Sequence, residues 1–223
     1  MRLAITGSNG IIGKILYNEY KKNKDYTVTG IDFNNSDINI DLLNENISGI
    51  FDNVDTVIHL AGNKKNTDSF DNILGPNIIM CERVFEECKK STNVKKVVFA
   101  SSNHTQIKGF KLEGVGNPTK KIDNTIMTQD DNYYPDSFYG VSKIFGEMLG
   151  KYYCTVENAF DFVAIRIGWV IDEKEAPNTD YYKCMKLTES DCIKTFNNAL
   201  HTVPYKNNFV IMYGTSNNSY FLH

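Results

Sequence analysis

Five apolar runs, at residues 3–6, 26–33, 56–60, 96–100 and 162–167, constrain the fold more than any other feature of the sequence. Each carries Val, Ile or Phe and is nearly continuous in apolarity, which suits strands covered on both faces, as in a parallel sheet. Parallel neighbours need long crossovers, and helical spacing at 11–22, 76–90 and 137–156 supplies them. Pro76 stands where a helix can begin, because the first turn has no use for the missing N–H. Thr188-Glu189-Ser190-Asp191 resembles a capping box opening a further helix, Asp191 to about Leu200, and 209–213 reads as a last strand. The alternation predicts an α/β fold, a doubly wound parallel sheet with right-handed crossovers.

Composition sets the outer bounds. The 223 residues suffice for a single domain over 1–223 with a sizeable core. Lys and Arg number 24 against 27 Asp and Glu, a net charge of −3 that leaves no broad basic field for nucleic acid or an acidic membrane surface. No apolar run approaches the roughly 18 residues of a membrane helix. Met1-Arg2-Leu3 enters a strand pattern at once, so no signal peptide is expected. Cys81, Cys88, Cys154, Cys184 and Cys192 are odd in number and form no C-x-x-C pair. They read as reduced core thiols, and a cytoplasmic protein is expected. No cluster has metal-ligand spacing, so no metal is expected. The polar stretch 114–134 lacks periodicity and reads as a long functional or mobile loop.

The first strand runs into Gly7-Ser8-Asn9-Gly10-Ile11-Ile12-Gly13 and then into a helix. One glycine makes the tight turn, one lets the backbone approach a pyrophosphate, and one allows close packing of helix on strand. The free amides and positive dipole end of the helix then hold the phosphates. The same triplet also serves as a plain strand-to-helix turn, but Asp32 follows 25 residues after Gly7, at the end of the second strand. A carboxylate there accepts a ribose 2′-hydroxyl and repels a 2′-phosphate, which favours NAD over NADP. Asn34 and Asn35 beside it offer no basic partner. Asp41, followed by Leu42, either reaches the adenine edge or caps a helix.

Tyr139-Gly140-Val141-Ser142-Lys143 sets a tyrosine and a lysine at i and i+4, on one face of a helix. A phenol is a poor base at neutral pH, and a nearby ammonium favours the phenolate. The spacing alone is common, as Tyr17 and Lys21 show. The Tyr139 copy gains weight from Ser101-Ser102 at the end of the fourth strand, since ligands of α/β sheets sit at the carboxyl ends of the strands.

Gly7-x-x-Gly10-x-x-Gly13, His59-Leu60-Ala61-Gly62, Ser101-Ser102 and Tyr139-x-x-x-Lys143, in that order, resemble the extended short-chain dehydrogenase/reductase family of NAD-dependent epimerases and dehydratases. The segments 98–105, 139–147 and 166–168 look like those of uronate dehydrogenases. The resemblance implies a Rossmann-like sheet with a small, reduced C-terminal substrate-binding portion, and substrate contacts mainly within 103–135 and 169–190. It implies Tyr139 as base, Lys143 as its electrostatic partner and ribose ligand, and Ser102 as the hydroxyl that positions the reacting oxygen. Asn103 and His104 would line the substrate. Leu60, Ala61, Gly62, Asn77, Ser101 and Ile167 would meet the cofactor, Asn77 also steadying the Tyr–Lys helix. Departures from the uronate enzymes fall on the substrate side. Trp169 stands where they have a serine, 178–186 lacks their carboxylate-clamping arginine, and Asn63-Lys64-Lys65 follows Gly62 where a small hydroxyl residue is usual. Lys183 could pair with a carboxylate only as a point charge. Trp169 is a core residue by type and a pocket wall by position. His59 reads as structural.

The implied activity is hydride transfer from a sugar or sugar-acid hydroxyl to NAD. The alternatives are a nucleotide-sugar epimerase or dehydratase, and a non-catalytic dinucleotide sensor. The 55 residues after Gly168 leave little room for a nucleotide-holding lobe, which favours a small substrate. A homodimer through the two long helices is expected, with Val84, Phe85, Cys88, Phe145, Met148, Leu149 and Tyr152 as candidate contacts.

Overall fold

Continuous apolarity requires cover on both faces of a strand. The computed structural model, which describes residues 1–106, 133–171, 178, 180–202 and 209–216, shows what provides that cover. Among the described residues β1 (Arg2–Thr6), β2 (Thr27–Asp32), β3 (Ile38–Asn39), β4 (Thr56–His59), β5 (Lys96–Ser102), β6 (Asp161–Ile167) and β7 (Phe209–Gly214) form one sheet. Its order is β3-β2-β1-β4-β5-β6-β7, and every neighbouring pair is parallel. This is the doubly wound arrangement that the alternation predicts.

Successive side chains of β4, β5 and β6 enter two different cores, as the pleat requires. Val57, Val97, Phe99, Phe162 and Ala164 join the core under α3 (Met80–Lys90) and α4 (Phe138–Thr155). Ile58, Val98, Val163 and Ile165 join the core under α1 (Ile11–Lys22) and α6 (Glu189–His201). Helix α6 has Thr188 as its N-cap, whose hydroxyl accepts the Asp191 N–H at 3.2 Å. At the other end Lys96 reaches up from β5 and donates to the carbonyls of Leu200 at 2.8 Å and Thr202 at 2.7 Å. The ammonium thus supplies donors to carbonyls that a helix end leaves unpaired.

The structure departs from the sequence reading in three places. Helix formation ahead of α3 begins not at Pro76 but at α2 (Phe70–Ile73), followed by a π-helical segment, Leu74–Ile79, that carries Pro76 in its interior. Proline is tolerated there because the wide turn already departs from the i→i−4 ladder in which it has no N–H to offer. The strand β3 and the helix α5 (Asp180–Met185) are too short to produce a periodic signal. Val84, Phe85 and Cys88 are fully buried against the sheet and are not available to a partner. The exposed apolar side chains of α4 are Phe138, Val141, Met148 and Tyr152. The loop expected at 114–134 lies almost wholly outside the described residues. All five cysteines are buried, and none of them forms a disulfide. Among the described residues no helix is long and apolar enough to cross a membrane, and no group of three His, Cys, Asp or Glu could hold a metal ion.

Candidate active site

The strand order reverses direction between β1 and β4, and the crevice at the carboxyl ends of these strands is where such sheets bind ligands. The glycine turn lies there. Gly7 takes φ +71°, and its N–H donates to the Ile31 carbonyl at 2.9 Å. A Cβ on Gly13 would stand 2.2 Å from the Gly7 oxygen, so the turn closes directly onto the first turn of α1. Gly10 is the N-cap of α1, and no side chain caps that end. The amides of Ile11 and Ile12 therefore lie at the positive end of the helix dipole without a side-chain acceptor, a ready seat for phosphate.

Asp32, at the end of β2, braces this turn: its Oδ2 accepts the Asn9 N–H at 2.8 Å and its Oδ1 accepts that of Phe33 at 2.7 Å. Beside it a cavity of about 410 Å³ is lined by Ser8, Asn9, Lys14, Tyr17, Asn35 and Ser36, among others. Lys14 is a basic neighbour that the local reading of Asn34 and Asn35 overlooks. It comes from α1 and not from the loop that follows Asp32.

Leu60, Ala61 and Gly62 leave β4 against the turn, and a Cβ on Gly7 would stand 2.7 Å from the Ala61 nitrogen. His59 faces the interior. Its Nδ1 lies 2.7 Å from the Thr6 hydroxyl, and burial pushes its pKa down to about 3. It is a neutral structural residue. Asn77, from the π segment, accepts the Asn63 N–H at 2.7 Å and donates to the Ser142 hydroxyl at 3.0 Å, tying the loop after β4 to α4.

Ser137 caps α4 by accepting the Gly140 N–H at 3.1 Å, which starts the helix one residue before Tyr139. A Cβ on Gly140 would stand 2.4 Å from the His104 carbonyl, so the helix start rests on the 3₁₀ turn Asn103–Thr105 that follows β5. Tyr139, Lys143 and Ser102 meet at this junction. Burial raises the Tyr139 phenol, and a hydrogen bond from Ser102 pulls it back. Lys143 is buried, with its ammonium 5.0 Å over the Phe99 ring and 5.5 Å over the Tyr139 ring, and burial lowers it to about 8. The hydrogen bond that favours the phenolate comes from Ser102. Lys143 faces ring planes, and i, i+4 spacing alone could not show this.

The side expected to face a substrate is built from β5, α4 and β6. His104 Nδ1 lies 2.9 Å from both carboxylate oxygens of Asp136, its Nε2 lies 3.5 Å from Asn66 Nδ2, and its ring meets Tyr139 edge-on at 5.6 Å. Burial pushes the Asp136 carboxyl up, but His104 and the Ser137 hydroxyl outweigh it and hold it below the usual range. Sequence reasoning missed Asp136, and its position three residues before Tyr139 was the available signal. Asn103 is buried and donates to Met185 Sδ at 3.0 Å, linking the 3₁₀ turn to α5. Trp169 is 40% exposed, which overturns the core reading. Its N–H donates to the Met185 carbonyl at 2.5 Å, and its ring meets Tyr182 edge-on at 5.7 Å. Lys64 and Lys183 are exposed.

Four residues expected at the cofactor have their side chains occupied elsewhere. The Ser101 hydroxyl donates to buried Glu147, because adjacent strand residues face opposite ways and Ser102 takes the open side. Leu42 and Ile167 are core residues. Asp41 accepts the Leu43 and Asn44 N–H groups at 2.8 and 3.2 Å, capping a turn and not a helix. Under the site Arg166 grips Glu147 through Nε at 3.0 Å and Nη2 at 2.9 Å, with side chains 1% and 0% exposed. Tyr133 donates to the same carboxylate at 2.9 Å.

Relatives share this arrangement of chain. An L-arabinose 1-dehydrogenase (NAD(P)(+)) of Haloferax volcanii is 30% identical, with 86% of this chain and 79% of that protein aligned. A uronate dehydrogenase of Pseudomonas putida is also 30% identical, over 97% of this chain and 77% of that protein. The crystal structure of a glucuronic acid dehydrogenase from Chromohalobacter salexigens superposes with a TM-score of 0.77 at 25% identity, covering 99% of this chain and 78% of that one. The model of the NAD dependent epimerase/dehydratase family matches residues 3–189. A glycine turn with uncapped amides on α1, a carboxylate at the end of β2 and the Ser102–Tyr139–Lys143 junction fit that match, and the chain belongs to the NAD-dependent epimerase/dehydratase family.

Proposed function

We propose that the chain is an NAD-dependent dehydrogenase that oxidises a hydroxyl of a small sugar or sugar acid, with Tyr139 as the base. The observation that carries the reading is the meeting of Ser102, Tyr139 and Lys143 at the carboxyl end of β5, two strands along from β1 and its glycine turn. Gly7, Asn9, Gly10, Ile11, Ile12 and Gly13 would hold the pyrophosphate. Asp32 would take the adenosine ribose. Leu60, Ala61, Gly62 and Asn77 would border the rest, and Lys143 would hold the nicotinamide ribose. NAD, when bound, supplies the hydride acceptor.

The chain's own residues handle the proton and the charge. The Ser102 hydroxyl donates to the reacting oxygen and orients it. The Tyr139 oxygen accepts the proton that leaves the substrate hydroxyl. Lys143, buried on the same helix face, offsets the charge that this creates. Asn103 and His104 line the substrate beside Ser102. Exposed Val141, Met148 and Tyr152 on α4 give a homodimer its apolar contact face. The five buried thiols suit a cytoplasmic setting.

The experiment is NADH formation across aldoses, hexuronates and sugar alcohols, first with NAD and then with NADP. NADH appearing with one class, and its loss in Tyr139→Phe, is the expected result. No NADH with any of them, while NAD binds by calorimetry, would turn the reading toward an epimerase or a sensor.

A further inference from the structure

We infer that the substrate is a neutral sugar and not a sugar acid, recognised through His104 and Trp169; the inference rests on the oxidoreductase reading above. A carboxylate is recognised best by the planar fork of an arginine. The whole sequence contains three arginines, Arg2, Arg83 and Arg166. Arg2 pairs with Asp55 at the opposite, amino-terminal end of β1, at 3.0 Å through Nε. Arg83 donates to the carbonyls of Leu42 and Glu45 from the outer side of α3. Arg166 is 1% exposed, buried beneath the site with Nε and Nη2 held by Glu147. No arginine is left to clamp an acid.

His104, the polar side chain beside Ser102, is also of the wrong kind for an acid. The Asp136 carboxylate is an acceptor only, so His104 Nδ1 must carry the hydrogen. His104 Nε2, facing the Asn66 amide, is then an acceptor in the neutral ring. A sugar hydroxyl can donate to that nitrogen in place of the long 3.5 Å contact from Asn66 Nδ2. A substrate carboxylate would meet one acceptor lone pair with a second carboxylate, Asp136, directly behind it. Trp169, 40% exposed at the carboxyl end of β6 and linked through Met185 to Asn103, offers an aromatic face for the apolar side of a sugar ring.

The test pairs neutral sugars with their acids on the full chain with NAD: galactose against galacturonate, glucose against glucuronate, and arabinose alone. The best neutral sugar should exceed its acid by about tenfold or more in kcat/KM, since a hydroxyl-reading site leaves its groups unpaired with the wrong ligand. An acid turned over as well as or better than its neutral partner would overturn the inference. Silence with both classes while NAD binds would instead overturn the oxidoreductase reading. Asp136→Asn can donate to Nδ1 and so frees Nε2 to carry a hydrogen. It should lower the neutral-to-acid ratio about threefold or more, on the scale of one hydrogen bond, while NAD affinity holds. A proportional loss on both substrates would reduce Asp136 to a structural role and overturn this part. Trp169→Ala, at a half-exposed position, should raise KM for the neutral sugar with kcat retained, and an unchanged KM would remove the platform.

Discussion

Glu147→Leu is the substitution whose consequence follows most directly from the structure. Glu147 accepts from Arg166 Nε and Nη2, from the Tyr133 hydroxyl and from Ser101, and neither member of the ion pair has more than 1% of its side chain exposed. Removing the anion leaves a guanidinium inside the protein with no countercharge and two hydroxyls with no acceptor. Breaking a buried pair in this way costs about 3–5 kcal/mol. For a chain of this length each kcal/mol moves the melting temperature by about 2–4 °C, so a fall of about 6–20 °C is expected. Thermal unfolding followed by circular dichroism measures it. The control is Glu147→Leu combined with Arg166→Met, which removes both charges and should recover much of the loss. A single variant costing under about 1 kcal/mol, or a double variant no more stable than the single one, would refute the account.

Tyr139→Phe should lower turnover by about 10²–10⁴-fold, the usual worth of a general base; calorimetry should find NAD affinity within a few-fold of wild type. Asp32→Ala should weaken NAD far more than NADP in the same titration, and an equal loss would shift the selectivity onto Lys14. His59 titrates near 3 when folded against about 6.5 when unfolded, so below about 6.5 the unfolded chain binds a proton that the native one refuses. Stability should therefore fall as pH drops from 7 to 5, and His59→Leu should flatten the urea midpoint over that range. Lys96→Met removes donors to the last carbonyls of α6 and should cost about 1–2 kcal/mol by urea unfolding, with faster amide exchange confined to residues 196–202.

The sequence discloses the sheet because buried parallel strands have no polar face to confuse their pattern: β4, β5 and β6 lie within two residues of their expected ends. It discloses the glycine turn and the Tyr139–Lys143 pair because both are local spacings. It does not disclose which way a side chain turns once distant segments meet. Ser101 and Ser102 are chemically alike, and only the pleat gives one to Glu147 and the other to Tyr139. Val84, Phe85 and Cys88 form an apolar stripe that fits a partner or a core equally well, and the sheet claims it. Asp136 becomes meaningful only when His104, 32 residues earlier in the chain, is set against it.

The π segment between α2 and α3 has a consequence for phase. An α-helix turns about 100° per residue, so one residue added in a wide turn rotates everything downstream by about that angle. Upstream, Phe70 meets Phe138 on α4; within the segment Asn77 points to Ser142; downstream, Met80, Cys81, Val84, Phe85 and Cys88 all face the sheet. On a uniform α-helix over 70–90, Phe70 and Asn77 would fall within about 20° of Cys88, on the core-facing side; the added turn rotates Phe70 off that side, out to exposed Phe138 at the start of α4. The wide turn thus acts as a vernier: it lets a helix locked by the core carry a first turn that faces elsewhere, toward the start of the helix that bears Tyr139.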